Sequence, residues 1–205
     1  AMPVMEGKAV LFKEFGGVDA IPLCVRSKDV DDIVNTVRLL AGSFGGVNLE
    51  DISAPRCFEI EKKLKECCDI PIFHDDQHGT AIVTAAALLN AVKLTGKKMG
   101  DLRIVINGAG SAGIAIARLL LNMNFGDVIL CDSKGSVYKG REGMNAGKKE
   151  IAELTNKGLL KGSLADAMKE SDIFIGVSAP DVVSEAMVAS MNEKSIVLPM
   201  ANPVP

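Results

Sequence analysis

Apolar positions along the chain fall into two alternating kinds of run. Short runs rich in β-branched residues occur at 9–12, 21–25, 70–73, 102–107, 127–131, 173–177 and 195–199, and these read as strands. Stretches with a helical period lie between them. Residues 30–44 place Ile33, Val37, Leu40 and Ala41 on one face, and Pro55 opens a second helical stretch over 57–68. The stretch 80–94, TAIVTAAALLNAVKL, is apolar nearly all round, which predicts a helix buried on several sides.

This alternation predicts an α/β fold, a Rossmann-type doubly wound parallel sheet joined to a partial α/β domain. A junction is expected around the all-apolar helix, with residues 1–78 as one unit, 79–97 as a connecting helix and 98–205 as a second unit. Composition narrows the partners. Of 205 residues, 23 are Lys or Arg and 26 are Asp or Glu, so the net charge of −3 gives no electrostatic case for nucleic acid or a membrane surface. One Tyr and no Trp leave no stacking platform for bases. No apolar run approaches the roughly 18 residues of a membrane span, and no secretory signal is read at the start. The five cysteines are scattered except for Cys67 and Cys68, neighbours that bridge only with strain. All five are read as reduced thiols of a cytoplasmic protein.

The segment LRIVIN over 102–107 runs straight into Gly108-Ala109-Gly110-Ser111-Ala112-Gly113 and then IAIARLLL. A strand, a G-x-G-x-x-G turn and a helix in that order form a dinucleotide-binding fingerprint. The glycines serve the tight turn, the approach of backbone to a pyrophosphate, and close packing of helix on strand. Asp132 ends the next strand, at about the 20-residue separation at which a carboxylate accepts hydrogen bonds from the adenosine ribose. It favours NAD, whereas Ser133 and Lys134 beside it suit the 2′-phosphate of NADP, so both cofactors stay open.

Two acidic pairs precede this unit, Glu50-Asp51 and Asp75-Asp76, each following an apolar segment. Carboxylates converging from both would bind Mg²⁺ or Mn²⁺, hard cations that take oxygen ligands. Each pair alone also fits a helix cap or a solvated turn, and Asp51 in particular stands where it can cap the helix after Pro55. His74 and His78, four apart, suit zinc only if a helix carries them.

Taken together, EGKAVLFK over 6–13, FGGVDA over 15–20, NLEDISAPRCFEIE, IPIFHDDQHGTAIV, INGAGSAGIAIA, FIGVSAP and the closing ANPVP make the sequence resemble a malic enzyme of the small prokaryotic type, from about residue 3 onward. The resemblance implies oxidative decarboxylation of L-malate to pyruvate and CO₂ with NAD or NADP and Mg²⁺ or Mn²⁺. It implies that 1–78 belongs to the substrate and metal domain and 98–205 to an incomplete cofactor domain. By the same resemblance Lys8 is the general base, Glu50, Asp51 and Asp76 are metal ligands, Asp75 is a supporting acid, and Asn202 lies near the nicotinamide. A homo-oligomer, dimer or higher, is expected. The family's upstream tyrosine and a segment after the ANP strand have no counterpart here, and Tyr138 is no replacement. The chain therefore reads as a truncated core with weak or no turnover. Two other readings stand beside this one, a non-catalytic dinucleotide-binding remnant and a metal-independent Rossmann dehydrogenase of hydroxy or amino acids.

Overall fold

Two sheets of unequal size organise the chain in the computed structural model, which describes residues 2–53 and 55–201. The chain divides into two units, Ala1–Asp76 and Gln77–Pro205.

In the first unit, β1 (Val47–Leu49) and β2 (Ile72–His74) pair in parallel, with Val47 opposite Ile72 and Leu49 opposite His74. Helices α2 (Val30–Leu40) and α3 (Arg56–Cys67) pack with them around Ile33, Leu49, Ile60, Leu64 and Ile72. Asp29 caps α2 by accepting from the N–H groups of Asp31 and Asp32, which answers two of the donors that a helix start leaves unpaired. The first helix, α1 (Met2–Gly16), buries none of its residues.

Two expected strands are corrected here. Residues 9–12 lie inside α1, because a four-residue apolar run does not distinguish strand from helix and its neighbours are strong helix formers. Residues 21–25 pair with no strand; Pro22 removes a ladder donor from the middle of the run. The three-residue β1 went unforeseen, being too short for an alternating pattern to register.

The second unit holds α4 (Thr80–Thr95) and a five-stranded sheet in the order β5-β4-β3-β6-β7. Its strands are β3 (Arg103–Asn107), β4 (Asp127–Asp132), β5 (Gly135–Ser136), β6 (Ile173–Gly176) and β7 (Ile196–Pro199), and only β5 is antiparallel. Strand residues alternate between two buried faces, as the pleat requires. Ile104, Ile106, Val128, Leu130, Ile173 and Ile175 join α4, α5 (Ser111–Asn122) and α6 (Ala146–Ala152) in one core. Val105, Ile129, Cys131 and Phe174 join α7 (Leu164–Met168) and Met187 of α8 (Glu185–Ala189) in another. Helices on both faces of a parallel sheet are the doubly wound arrangement.

Helix α4 departs from expectation. It buries one stripe only, Ala81, Thr84, Ala85, Leu88 and Val92, against α5 and its neighbours, while Ile82, Val83 and Leu94 are exposed. Among the described residues no helix is long and apolar enough to cross a membrane, and all five cysteines are free thiols.

Asp172, just before β6, ties three parts of this unit together. It accepts from Lys97 Nζ at 2.6 Å, from the Arg103 N–H at 2.9 Å and from Asn192 Nδ2 at 3.1 Å. Burial works to raise its pKa, but the Arg103 N–H, Lys97 and Asn192 outweigh it and hold the carboxyl below its ordinary value. An unfolded aspartate titrates near 3.9. The stabilisation is therefore complete above that pH and is lost as the pH falls through the lower folded-state value. Urea unfolding of Asp172→Asn should show a penalty at pH 7 that shrinks towards pH 3; a penalty independent of pH would assign the effect to packing instead.

Candidate active site

The parallel pairing of β1 with β2 decides where the two acidic pairs go. Leu49 stands opposite His74, so the residues that follow, Glu50 with Asp51 and Asp75 with Asp76, leave the sheet side by side at the same end. Carboxylate oxygens of Glu50, Asp51 and Asp76 lie within 4.8 Å of one another. Three all-oxygen donors at that spacing fit a hard divalent cation, and neither histidine belongs to the group. His74 is fully buried within β2.

Asp51 does not cap α3. Pro55 occupies the cap position, and no side chain bonds to the helix start. Instead Asp51 holds φ at +55°, the left-handed region that a non-glycine residue enters at a cost of order 1 kcal/mol. That strain accompanies a carboxylate turned into an acidic cluster. Asp76 is the second residue of a short π-helical turn over Asp75–Gly79 that leads into α4.

Lys8 of α1 enters the same cluster. Its Nζ lies 2.5 Å from Asp75 Oδ2 and 2.6 Å from Glu50 Oε2. The contact with Asp75 is a directed hydrogen bond, whereas that with Glu50 is an ion pair outside hydrogen-bond geometry. Burial alone lowers the pKa of an ammonium, but the Asp75 hydrogen bond and the pairing with Glu50 outweigh it and raise Lys8 above its ordinary value. Lys8 and the cluster border a largely apolar cavity of about 940 Å³ between α1, α2 and β1.

In the second unit, β3 ends at Asn107 and the glycine turn follows. Gly108 holds φ at +125° and passes so close to Val177 that a Cβ there would meet its carbonyl oxygen at 2.9 Å. A Cβ on Gly113 would sit 1.8 Å from the Gly108 carbonyl oxygen, so the return from turn to helix requires glycine. A Cβ on Gly110 would meet nothing within 4 Å, which leaves open space at the start of α5. Ala109 is buried, Ser111 and Ala112 are partly exposed, and all lie in this turn or the first turn of α5.

Asp132 ends β4 and is clamped by two cations. Arg141 forks onto it, with Nη1 to Oδ1 at 3.1 Å and Nη2 to Oδ2 at 2.5 Å, and Lys148 Nζ reaches Oδ2 at 2.5 Å. Arg141 Nη1 also donates to the Gly135 and Ser136 carbonyls, which fastens the β4–β5 hairpin. Burial pushes the Asp132 carboxyl up, yet Arg141, Lys148 and the Lys134 N–H hold it well below the usual carboxylate range. Ser133 and Lys134 form the exposed hairpin turn, and Lys134 shares a basic pocket with Arg141 and Lys161. Asn202 lies outside the described residues.

Residues 77–205 match the malic enzyme NAD binding domain, and residues 1–65 match the malic enzyme N-terminal domain. The chain belongs to the malic enzyme family. The bifunctional malic/malolactic enzyme of Bacillus subtilis is 56% identical over the whole chain, which covers 50% of that protein. The NADP-dependent malic enzyme of Rhizobium meliloti is 52% identical over 99% of the chain and 26% of its own length. The solved NAD-dependent malic enzyme of Thermotoga maritima is 44% identical, with a TM-score of 0.96 over all of this chain and 55% of that one. The chain thus spans half or less of the curated relatives named here.

Within this malic enzyme frame, sequence reasoning missed Arg141, Lys148 and the Asn107–Ser178 pair, whose amide and hydroxyl meet at 2.8 Å between the ends of β3 and β6. No spacing rule links Asp132 to cations in the loop that follows it, although the density of basic residues in KGREGMNAGKK was a signal.

Gly113→Ala should abolish dinucleotide binding measured by calorimetry while leaving Mn²⁺ binding intact; retained binding would show that the turn relaxes around the methyl. Lys8→Met removes the ammonium that competes for Glu50. Mn²⁺ titrated by electron paramagnetic resonance should then bind up to about fivefold more tightly, in keeping with the 1 kcal/mol or less of a partly exposed ion pair. Unchanged or weaker binding would mean that ammonium and cation do not share the carboxylate.

Proposed function

We propose that this chain carries the metal and cofactor core of a cytoplasmic, homo-oligomeric malic enzyme, which oxidises L-malate to pyruvate and CO₂ with NAD or NADP. The observation that supports this most is the meeting of Glu50, Asp51 and Asp76 with Lys8 and Asp75 at one end of a parallel strand pair. Hydride transfer alone needs no acidic cluster; a reaction that also breaks a carbon–carbon bond next to a carbonyl does make use of one.

Glu50, Asp51 and Asp76 hold the divalent cation, which when bound lowers the pKa of a substrate hydroxyl and polarises a carbonyl. Lys8 is the base for the C2 hydroxyl of malate. Base action needs the neutral amine, and in this structure two carboxylates stabilise the ammonium. Withdrawal of Glu50 from the ion pair lowers that stabilisation, and Asp75 stays to orient the nitrogen. The turn over 108–113 with the start of α5 holds the pyrophosphate, and Asp132 accepts from the adenosine ribose of NAD, or Ser133 and Lys134 hold the 2′-phosphate of NADP. Asn202 contributes beside the nicotinamide. Exposed apolar side chains such as Phe15, Val83 and Leu94 support self-association.

The test is the rise of reduced-cofactor absorbance with malate and Mn²⁺, run separately with NAD and NADP. The expected result is a weak signal abolished both by chelator and by Lys8→Ala, since loss of a general base costs about 10²–10⁴-fold. Dinucleotide binding without turnover would instead make the chain a binding remnant. Turnover undiminished by chelator would point to a metal-independent dehydrogenase.

A further inference from the structure

Cys67 and Cys68 take no part in the chemistry above, and their geometry is unusual for neighbours. Cys67 is the last residue of α3 and is exposed. Cys68 turns out of the helix at φ −119° and ψ 142°, with its N–H still bonded to the Leu64 carbonyl at 2.9 Å. The change of backbone conformation between them brings the two sulfurs to 3.9 Å on the surface. Cys68 is half-buried and packs against the core formed by Ile60, Leu64 and Ile72.

A direct disulfide is disfavoured at this spacing. The sulfurs would have to close to about 2.05 Å, and the Cα atoms, about 3.8 Å apart across one peptide bond, lie below the usual 4.4–6.8 Å range. An atom bonded to both sulfurs fits far better. Two bonds of about 2.3 Å, the length of a thiolate–metal bond, meeting at the roughly right angle of pyramidal trivalent arsenic separate their sulfurs by about 3.3 Å, so the exposed Cys67 side chain has only about 0.6 Å to close from the 3.9 Å found. We propose that Cys67 and Cys68 form a chelating dithiol site that captures singly substituted trivalent arsenicals, R–As(OH)₂.

The step balances without an oxidant. Two As–O bonds break, two As–S bonds form, the two thiol protons leave with the two hydroxyls as water, and arsenic stays trivalent. Zinc fits less well, since it requires thiolates and two further ligands. Burial, and after it the neighbouring Cys67, push the Cys68 thiol up, which keeps it protonated at neutral pH. The other cysteines offer no second sulfur in contact: Cys24 is exposed and single, and Cys57 and Cys131 are buried.

The full chain is treated with one equivalent of phenylarsine oxide, whose hydrate has this form, then washed with glutathione and weighed by intact mass spectrometry. One arsenical per chain should survive the monothiol wash and be released by 2,3-dimercaptopropanol. Cys24→Ser should retain it. Cys67→Ser, an exposed change that leaves the core untouched, should lose it, because the second bond of a linked pair is worth about 10²–10⁴ in overall affinity. Peptide mapping of the native adduct should place it on residues 67–68, a readout independent of how any variant folds. Retention in Cys67→Ser, release by glutathione, or an adduct mapped elsewhere overturns the proposal.

Discussion

The register of two three-residue strands governs the chemistry of the first unit. Because β1 and β2 run in parallel, the chain leaves both at the same end, and acidic pairs that follow Leu49 and His74 must meet. An antiparallel pair would have sent them to opposite ends. The same constraint explains Lys8: four carboxylates in one place repel, and an ammonium 2.5 Å from one and 2.6 Å from another offsets part of that repulsion.

The second unit applies the same rule to a larger sheet, in which ligands collect outside the carboxyl ends of parallel strands. β3 delivers the glycine turn, β4 delivers Asp132, and β6 delivers Val177 and Ser178 to the same end of the sheet. Close packing makes this geometry unforgiving, since Gly108 and Gly113 leave no room for a methyl against their neighbours. Arg141 and Lys148 then fix the carboxylate of Asp132 in one orientation. The carboxylate is thereby left with little rotamer freedom.

Much of this was legible in the sequence, for physical reasons that differ from residue to residue. The turn from 108 to 113 was plain because its glycines answer to local sterics that no distant contact alters. The central strands were plain because they are buried on both faces and so read as continuous apolar runs. The convergence of Glu50, Asp51 and Asp76 was foreseen through family resemblance; composition alone permitted caps and turns. What escaped was non-local or short. The run around Lys8 looked like a strand because four apolar residues in a row satisfy either period. The pairing of Asp132 with Arg141 and Lys148 depends on how a loop folds back. The exposed face of α4 carries the same residue types as its buried face, so no pattern separated them.

Helix α1 carries one more consequence. Fifteen residues are near the length at which an isolated helix is marginal in water, and none of these is buried. Lys8 therefore sits on an element whose ion pairs with Glu50 and Asp75 form part of its hold on the unit, beside the half-buried Met5 and Ala9. Ionic strength that shortens the Debye length below about 8 Å weakens that hold far more than it weakens any apolar core. The helix–coil equilibrium of α1 and the position of the Lys8 amine are thus linked: salt that frays this helix draws the ammonium away from the acidic cluster while both sheets remain folded.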